Sequence, residues 1–480
     1  MSTSDDLTIQ IDSKLQAYHP GDTIRGILQL RLEKDSPVGK VIIQLRGYTK
    51  SKIVQPNGQS TSKSRGRVEL FKEESIVHND HFTHKSGVLN WPFKFRIPAT
   101  TELSSVVSKW KAKDHFLDTS GGSSLHPLPP TFRHIDLKHG KTSQATVTYG
   151  IEAIVEEPSD VRLTKPHVKR TVQPIYISKR TPQYGIDVND PQQRRGTSTQ
   201  VTIKTLRLLP ENRQSLSMAQ KMSSMFSSSK LPRFAFEIDV SYPSVLQISH
   251  PAPILFVIAA SPKTDPSSTT IQPSIHTFYR YPSAHVKHLK LWLEAHTDIR
   301  CPSLLSDSHA GSVANIPLID CGFTDTQVAM RSLAWDQKNK VDQDLPMSID
   351  FGRECNARLK QPSKGETKPL IAPSFMTYNI SRRYYLVWVV ELECASEKRT
   401  LEGRSREEVT VIGPTDAPAG ETLPDTTWLA GPNEDHDSEE DFDFSLQEPP
   451  SKETLPAYSE LPDEATYTID SAATGSGTKR

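Results

Sequence analysis

A Leu-Pro-Ala-Tyr motif near the end of the chain has the residue types that best suit recognition by another protein. It consists of Leu455, Pro456, an alanine and Tyr458. Pro456 favours an extended polyproline II backbone at small entropic cost, and Tyr458 supplies an aromatic ring and a hydroxyl group two residues later. This Leu-Pro-x-Tyr arrangement is a variant of the Pro-Pro-x-Tyr ligand of WW domains. Because leucine replaces the first proline, which would itself pack in the groove, we expect modest affinity unless a second contact acts simultaneously.

Two further Pro-x-Tyr patterns occur in the chain. With 36 prolines and 13 tyrosines in 480 residues, chance predicts about one such pattern. Pro182 and Tyr184 form a second candidate WW-domain motif, whereas Pro174 and Tyr176 lie within a predicted strand. Only Tyr458 combines a preceding leucine with a segment that is predicted to be unstructured. A Pro-x-Tyr pattern without function is the alternative interpretation at each position.

A basic run before residue 181 could contact an anionic membrane or phosphorylated cargo. Its members are Arg162, Lys165, Lys169, Arg170, Lys179 and Arg180. At roughly 1 kcal/mol for each basic residue near a charged leaflet, several together would hold a protein at a membrane transiently. The alternative, which we favour, is a solvated strand face that the acidic tail partly neutralises.

Three histidines, His78, His81 and His84, recur at every third residue. On a helix this spacing could bring imidazole groups to one metal ion. The segment HNDHFTH is instead predicted to be a polar loop or a strand edge, on which these rings would not converge. We therefore predict no metal site and no cofactor.

Motifs of common enzyme classes are missing from the sequence. There is no Gly-x-Ser-x-Gly, no Walker loop, no dinucleotide fingerprint and no His-Glu-x-x-His. We therefore predict that the protein is not an enzyme. The serine-rich tract 215–229 and the segment 194–198 resemble kinase-accessible linkers, in which phosphate would add local negative charge. Such linkers are equally common without regulation.

Charge is unevenly distributed, although 57 basic residues balance 57 acidic residues. Residues 413–480 contain 16 acidic and 3 basic residues, a net charge of −13, so residues 1–412 carry +13. Zero overall charge argues against a nucleic-acid binder. The four cysteines show no CxxC spacing, and the longest apolar run, 254–260, is far below the roughly 20 residues of a membrane span. We expect reduced thiols and a cytoplasmic protein.

Period-two alternation of apolar residues indicates β-strands along most of the body of the chain. An early example alternates over 24–32, and the clearest strand covers 384–392, where both faces are apolar as in a central strand beneath a second layer. Segments 51–67 and 101–141 are rich in Ser, Gly, Lys and Pro, and are predicted to be surface loops. Many short strands with few helical patterns predict an all-β fold.

The predicted architecture is two immunoglobulin-like β-sandwiches in tandem, followed by a disordered acidic C-terminal tail. The N-terminal sandwich is predicted over 1–185 and a serine-rich interdomain segment over 186–230, although residues 201–209 could still add a strand. The C-terminal sandwich is predicted over 231–412. The tail, 413–480, contains the Leu-Pro-x-Tyr motif.

The order of several short motifs resembles that of arrestin-like proteins, and in particular of fungal-type alpha-arrestins. In the first half these motifs are LTIQ at 7–10, YHPGDTIRG at 18–26, IIQLRG at 42–47, WPFKFRIP at 91–98, LPPTF at 128–132 and VTYGIEA at 147–153. In the second half, PSF at 373–375 and YNISRRY at 378–384 resemble the end of an arrestin C-terminal domain. The resemblance covers most of residues 5–412.

This resemblance implies an arrestin fold and an adaptor function. Alpha-arrestins link membrane-protein cargo, a transporter or receptor, to WW-domain ubiquitin ligases of the HECT type for ubiquitin-dependent endocytosis and sorting. The expected location is the cytoplasm, with transient residence at the plasma membrane or endosomes. The alternative is a scaffold of the same fold that acts in vesicle sorting or signalling without recruiting a ligase.

Overall fold

The computed structural model describes the parts of the chain that form the two halves of the body. These are residues 6–12, 17–57, 60–102, 115–117, 126–138, 140–156, 168–178, 194–212, 215–220, 222, 231–263, 265, 267–268, 282, 284–302, 307–328, 348–360 and 371–414. All of them lie in one compact unit, Met1–Pro432. None of the helices in these ranges has the length and apolar character needed to span a membrane.

Eight strands form the N-terminal half. They are β1 (Leu7–Ile11), β2 (Thr23–Leu32), β3 (Ser36–Asn57), β4 (Ser60–His84), β5 (Gly87–Arg96), β6 (Phe132–Lys138), β7 (Lys141–Glu156) and β8 (Val168–Ile175). One sheet has the order β1-β2-β5. The second has the order β4-β3-β7-β6, and β8 pairs with the same edge of β7 as β6 does, farther along the strand. All neighbouring strands in both sheets are antiparallel.

The core between these two sheets follows from the alternation in the sequence. On β2, Ile24, Leu28 and Leu30 are buried, whereas Arg25 and Arg31 are exposed on the other face. The long central strands contribute the opposite layer of the core, because β3 and β7 present alternate apolar residues to it. The predicted sandwich over this half is confirmed.

Eleven strands form the C-terminal half. They are β9 (Arg194–Lys204), β10 (Arg233–Pro243), β11 (Val245–Gln247), β12 (Val257–Lys263), β13 (Ala284–Cys301), β14 (Ser308–Val328), β15 (Ser348–Asp350), β16 (Phe375–Met376), β17 (Ile380–Cys394), β18 (Glu397–Arg404) and β19 (Thr410–Ile412). Short 3-10 helices cover Leu206–Leu208 and Pro210–Asn212, and one α-helical turn, α1, covers Phe351–Glu354. The sheets have the orders β15-β12-β10-β9 and β14-β13-β17-β16, with β18 also paired to β17.

Strand β17 lies at the centre of the larger C-terminal sheet, as the sequence predicts. The side chains of Tyr384, Leu386, Trp388, Val390 and Leu392 are all at most 3% exposed, and those on the opposite face are mostly half-buried. Trp388 contacts two rings of the facing sheet layer, with centroid distances of 5.4 Å to Tyr242 and 5.9 Å to Phe256. Aromatic side chains of this size bury large apolar areas, so this contact is a major part of the C-terminal core.

One glycine is required by close packing in the N-terminal sandwich. A Cβ atom on Gly47 would lie 2.6 Å from the ring of Tyr149 and 2.7 Å from the ring of Phe71. These two rings stack with centroids 6.1 Å apart, on the strands that flank β3. Any larger residue at position 47 would therefore displace an aromatic residue from the core.

The last strand of the C-terminal half, β19, pairs with β11, which lies early in the same half. Strands β11 and β19 are parallel, with Val245, Leu246 and Gln247 opposite residues 410–412. The backbone of Val411 is also bonded on its other side. Its amide donates to the hydroxyl of Ser374, and the amide of Ser374 donates to the carbonyl of Val411 at 2.7 Å. Val411 is 1% exposed, so the end of the described chain is fixed by bonds on both sides and by burial.

Three segments that were predicted to be loops or linkers contain strands. Of residues 51–67, predicted to be a surface loop, 51–57 instead belong to β3 and 60–67 to β4, and the polar side chains of Ser51 and Ser64 have partners in the other sandwich. Residues 194–204, placed within the predicted interdomain segment, form β9, which pairs with β10 along its whole length. Strand β9 lies at a sheet edge with only Val201 and Ile203 buried, so its mostly polar composition is compatible with a strand. Of the predicted loop 101–141, residues 132–138 form β6.

Candidate functional site at the junction of the sandwiches

Most of the predicted binding residues lie outside the described part of the chain. These are Leu455, Pro456 and Tyr458 of the tail motif, Pro182 and Tyr184 of the second motif, and Arg162 and Lys165 of the basic run. Lys169 and Arg170 are described, and both lie on β8. The WW-domain motifs therefore remain predictions from the sequence.

Arg170 belongs to a charge cluster on the outer face of the larger N-terminal sheet. Its guanidinium lies 3.7 Å from the carboxylate of Glu152, which also accepts a 2.7 Å hydrogen bond from Arg46. Arg46 donates a second bond of 3.1 Å to Glu69. Burial alone would lower the pKa of Arg46, but the hydrogen bonds and charges of Glu152 and Glu69 outweigh it and raise that pKa. Arg170 thus already has an anionic partner within the sheet.

Two of the three clustered histidines do approach each other. The ring centroids of His78 and His84 are 5.5 Å apart in an edge-to-face arrangement. The side chain of His81 lies outside the described part. Within the described ranges, no group of three or more His, Cys, Asp or Glu side chains is arranged to hold a metal ion.

The long hairpin of β3 and β4 brings polar residues of the N-terminal sandwich into contact with the C-terminal sandwich. Alternate residues of β3, Thr49, Ser51 and Ile53, are at most 2% exposed. The facing elements are the end of β13, the start of β14 and the segment that leads into β17. Because these are ends of strands, their backbone groups need partners outside their own sheet.

Asn379, which precedes β17, is the centre of this junction. The hydroxyl of Thr49 donates to its side-chain oxygen at 2.6 Å, and its side-chain nitrogen donates to the hydroxyl of Ser51 at 3.1 Å. Ser51 in turn donates to the backbone carbonyl of Arg300 at 2.8 Å. Asn379 is fully buried. Since a buried polar group without a partner costs about 1–3 kcal/mol, this chain of bonds specifies one mutual arrangement of the elements that it joins.

Further polar contacts extend the junction at both sides. The hydroxyl groups of Ser64 on β4 and Ser308 on β14 are 2.8 Å apart. The ring nitrogen of His134 on β6 is 2.6 Å from the hydroxyl of Ser312 on β14. Each pair joins one strand of the N-terminal sandwich to β14. Together with the contacts of β3, the two halves therefore meet at β3, β4 and β6 rather than at one point.

Apolar residues of the C-terminal half complete the N-terminal core. Ile299, Cys301, Ala372 and Ile380 belong to the same buried cluster as the side chains of β2, β3 and β7. Phe375 of the C-terminal half packs its ring edge-to-face on Phe132, with centroids 5.0 Å apart. Burial raises the pKa of Cys301 to about 12. This thiol therefore remains neutral in the junction, where it donates to Ser51.

A buried cation lies beside these apolar residues. Arg382 is 6% exposed, and its guanidinium donates to the hydroxyl of Thr297 and to the carbonyl of Ala295. It also donates to the hydroxyl of Tyr384 at 3.1 Å, and the rings of Tyr384 and Phe132 lie 5.0 and 5.8 Å from its central carbon. Neutral acceptors and aromatic faces therefore replace the water around this charge.

The junction residues were not among the candidate sites that the sequence suggested. Thr49 and Ser51 lie in or beside the segment predicted as a loop, and only the resemblance of the segment around Asn379 marked that part of the chain. The available signal was the run Thr49, Ser51 and Ile53 at alternate positions, which continues the period of β3. A surface loop would not be expected to continue the period-two spacing of the preceding strand.

Part of the chain matches the model of a known protein family. Residues 7–177 match the family model described as arrestin (or S-antigen), N-terminal domain. Residues 7–177 are similar to the arrestin N-terminal domain. Strands β1–β8 all fall inside the matched range, and the two-sandwich body that contains this arrestin domain is an arrestin fold. The match covers 171 of the 480 residues. No curated protein matches the chain.

The arrestin domain confirms the predicted resemblance at the level of the arrestin-like family. The match supports a role as an adaptor or scaffold of the arrestin fold in general. The assignment to the fungal alpha-arrestin branch stays a prediction that rests on the tail motif and on the second-half resemblance.

Proposed function

We propose that the protein is an adaptor that links membrane-protein cargo to a WW-domain ubiquitin ligase of the HECT type, for ubiquitin-dependent endocytosis and sorting. The observation that carries this proposal is the arrestin N-terminal domain at 7–177 within a two-sandwich body, in a chain that also contains Leu455, Pro456 and Tyr458. The chain itself performs no catalysis in this scheme. The ligase transfers the ubiquitin, and the adaptor determines which cargo is near it.

The two sandwiches are the proposed cargo-binding part. The bonds around Asn379 and the shared core hold strands of both halves together, so a ligand that contacts both halves meets a preorganised surface and loses little free energy in ordering it. The proposed cargo is the cytoplasmic segment of a transporter or receptor. A modest WW-domain interaction would then be strengthened by effective concentration, because cargo, adaptor and ligase are held together at more than one contact.

The ligase contact can be tested with the tail alone. A peptide of residues 448–470 is titrated against a WW domain of a HECT-type ligase by fluorescence anisotropy. Tyr458→Ala is expected to weaken binding at least tenfold, because Tyr458 supplies the aromatic contact of the motif. Tyr467→Ala is the matched control, since Tyr467 lies in the same peptide without a proline two residues earlier. Equal affinities of all three peptides would contradict ligase recruitment through this motif.

The second motif needs the full chain. We expect Tyr184→Ala to leave WW-domain capture by the full-length protein largely intact and Tyr458→Ala to abolish most of it, because only the latter follows a Leu-Pro pair. Capture that depends on Tyr184 instead would move the proposed contact to Pro182 and Tyr184. Capture that depends on neither would favour the alternative function, a scaffold for vesicle sorting or signalling that recruits no ligase.

Contact of the basic run with an anionic membrane is proposed as a transient, auxiliary interaction. Co-sedimentation with phosphatidylserine vesicles is compared between the full-length protein and a variant with Lys169 and Arg170 changed to alanine. A double variant at Lys398 and Arg399, two exposed cations of β18, is the control for loss of two positive charges. We expect a lower bound fraction only for the Lys169 and Arg170 variant. Because Arg170 pairs with Glu152, its own contribution to membrane contact is expected to be small.

A further inference from the structure

Two half-buried imidazole groups on β4 contact each other, and each has a buried ring nitrogen without a hydrogen-bond partner among the described residues. The Nε2 atoms of His78 and His84 are both buried, and neither has a hydrogen-bond partner among the described residues. The rings lie with centroids 5.5 Å apart. Buried polar nitrogens are normally paired, because leaving them without a partner destabilises the folded state. Two such nitrogens on rings that contact each other are candidates to bind one ligand between them.

The approach of these rings is produced by an irregularity in the strand. In a regular strand, residues six apart are separated by about 20 Å. The pairing of β3 with β4 is shifted at two places, between the partners of Val38 and Lys40 and between those of Val41 and Ile42. Such bulges bend a strand and redirect its side chains. His78, opposite Val41, and His84, opposite Ser36, therefore lie on either side of a bend, with their rings turned toward each other.

An aromatic residue of the neighbouring sheet forms a wall beside this pair. The indole ring of Trp91 on β5 is tilted against His78, with centroids 6.1 Å apart. Trp91 is half-buried and packs against the N-terminal core. It therefore fixes the orientation of the His78 ring and shields one side of it from water. Fixed orientation of a ligand ring by its surroundings is a general feature of metal sites.

The separation of the two rings matches that of two imidazoles bound to one metal ion. Zinc binds imidazole nitrogen at about 2.0–2.1 Å, which places the metal about 3.2 Å from each ring centroid. With a tetrahedral angle at the metal, two such rings have centroids about 5.2 Å apart, close to the observed distance. The planes of two imidazoles in such a site are free to take a large mutual angle, and here that angle is 62°.

We propose that His78 and His84 form a two-imidazole site for a borderline divalent transition metal, of which Zn²⁺ is the representative probe. Neutral imidazole is a preferred ligand of Zn²⁺ and Cu²⁺ and a poor one for Mg²⁺ and Ca²⁺. With two protein ligands the site keeps positions open for water or for a group of a bound partner. The bound metal would bridge the two sides of the bend in β4. This site is independent of the proposed adaptor function.

The proposal is tested by titrating the full-length protein with Zn²⁺ in an isothermal calorimeter. We expect one saturable site in the unchanged protein, and at least a tenfold weaker affinity in both His78→Ala and His84→Ala, because each removes one of two ligands. His250→Ala is the control, since His250 is also half-buried but its ring nitrogen accepts a bond from the amide of Ala252. The same isotherm in all four proteins, or no binding by the unchanged protein, would overturn the site and leave an aromatic cluster.

A second measurement does not depend on the folding of any variant. One equivalent or less of Cu²⁺ is added to the unchanged protein, and its electron paramagnetic resonance spectrum is recorded. Coupling to two imidazole nitrogens supports the proposal, and a spectrum that shows coupling to fewer than two contradicts it. The same spectrum is then recorded for His84→Ala, where one nitrogen is expected. Persistence of the two-nitrogen pattern in that variant would also overturn the assignment.

Discussion

The two sandwiches are built on the same plan but differ in how their cores are completed. Among the described residues, the C-terminal core consists of residues between 201 and 411, whereas the N-terminal core takes in Ile299, Cys301, Ala372 and Ile380 from the other half. One half therefore contains all of its own core, and the other does not. The arrestin N-terminal domain of this chain is a unit of sequence, but its packing depends on a neighbour.

The largest expected effect follows from separating the halves. Full burial of Ile299 and Ile380 is worth roughly 3–6 kcal/mol, which is comparable with the total stability of a domain. A fragment of residues 1–178 is therefore expected to unfold at much lower urea concentration than the full chain, whereas a fragment of residues 194–414 keeps a cooperative transition. Circular dichroism in urea measures both. An N-terminal fragment as stable as the full chain would show that the N-terminal core does not depend on residues of the other half.

A smaller effect distinguishes two residues of one strand. Ile380 and Leu386 both lie on β17, but Ile380 packs in the N-terminal core and Leu386 in the C-terminal core. Each change to alanine is expected to cost about 2–5 kcal/mol through lost burial and a cavity. Hydrogen exchange should rise mainly in β3 and β7 for Ile380→Ala, and mainly in β10 and β13 for Leu386→Ala. Identical exchange patterns would mean that the two cores unfold as one.

Loss of the central amide of the junction should have a moderate effect. Asn379→Ala removes the acceptor of the buried Thr49 hydroxyl and one of the donors to Ser51, at an expected cost of about 1–3 kcal/mol. Asn90→Ala, at an exposed position of β5, is the control and is expected to change stability by less than about 0.5 kcal/mol. Urea midpoints measure both. Equal midpoints for the two variants would show that the junction contributes no specific stability.

The smallest effect concerns neighbouring carboxylates of β4, far from the junction. The hydrogen bond from Lys72 lowers the pKa of Glu74, so its contribution to stability is present at neutral pH and is lost as the pH falls through that lowered value. Partial burial and the charge of Glu102 raise the pKa of Glu73, so its charged form is less favourable in the folded protein than in the unfolded chain. Glu74→Gln should lower stability at pH 7 by about 0.2–0.5 kcal/mol, with no difference at pH 3. Glu73→Gln should not lower it at pH 7, and a loss there as large as that of Glu74→Gln would contradict this.

The sequence predicts a strand correctly where the pattern of its apolar residues alone determines that strand. The strand 384–392 is recognisable because its inner face is continuously apolar, and β2 because its alternation is regular. The strand segments 51–57 and 60–67 are predicted as a loop because of their Ser, Gly, Lys and Pro content, and the partners of Ser51 and Ser64 are more than 200 residues away. Composition cannot reveal a partner at that separation. The approach of His78 and His84 was missed for a related reason, since it requires bulges whose positions depend on the neighbouring strand.

The short parallel pair of β11 and β19 has a mechanical consequence. If a partner bound beyond residue 414 is pulled away from the body, the tension runs along β19 first. A parallel strand between Gln247 on one side and Ser374 on the other is loaded in shear, so several backbone bonds must break together. The force is then carried by the C-terminal sandwich, whose core is self-contained. The N-terminal sandwich, whose core includes residues of the other half, does not carry this force first.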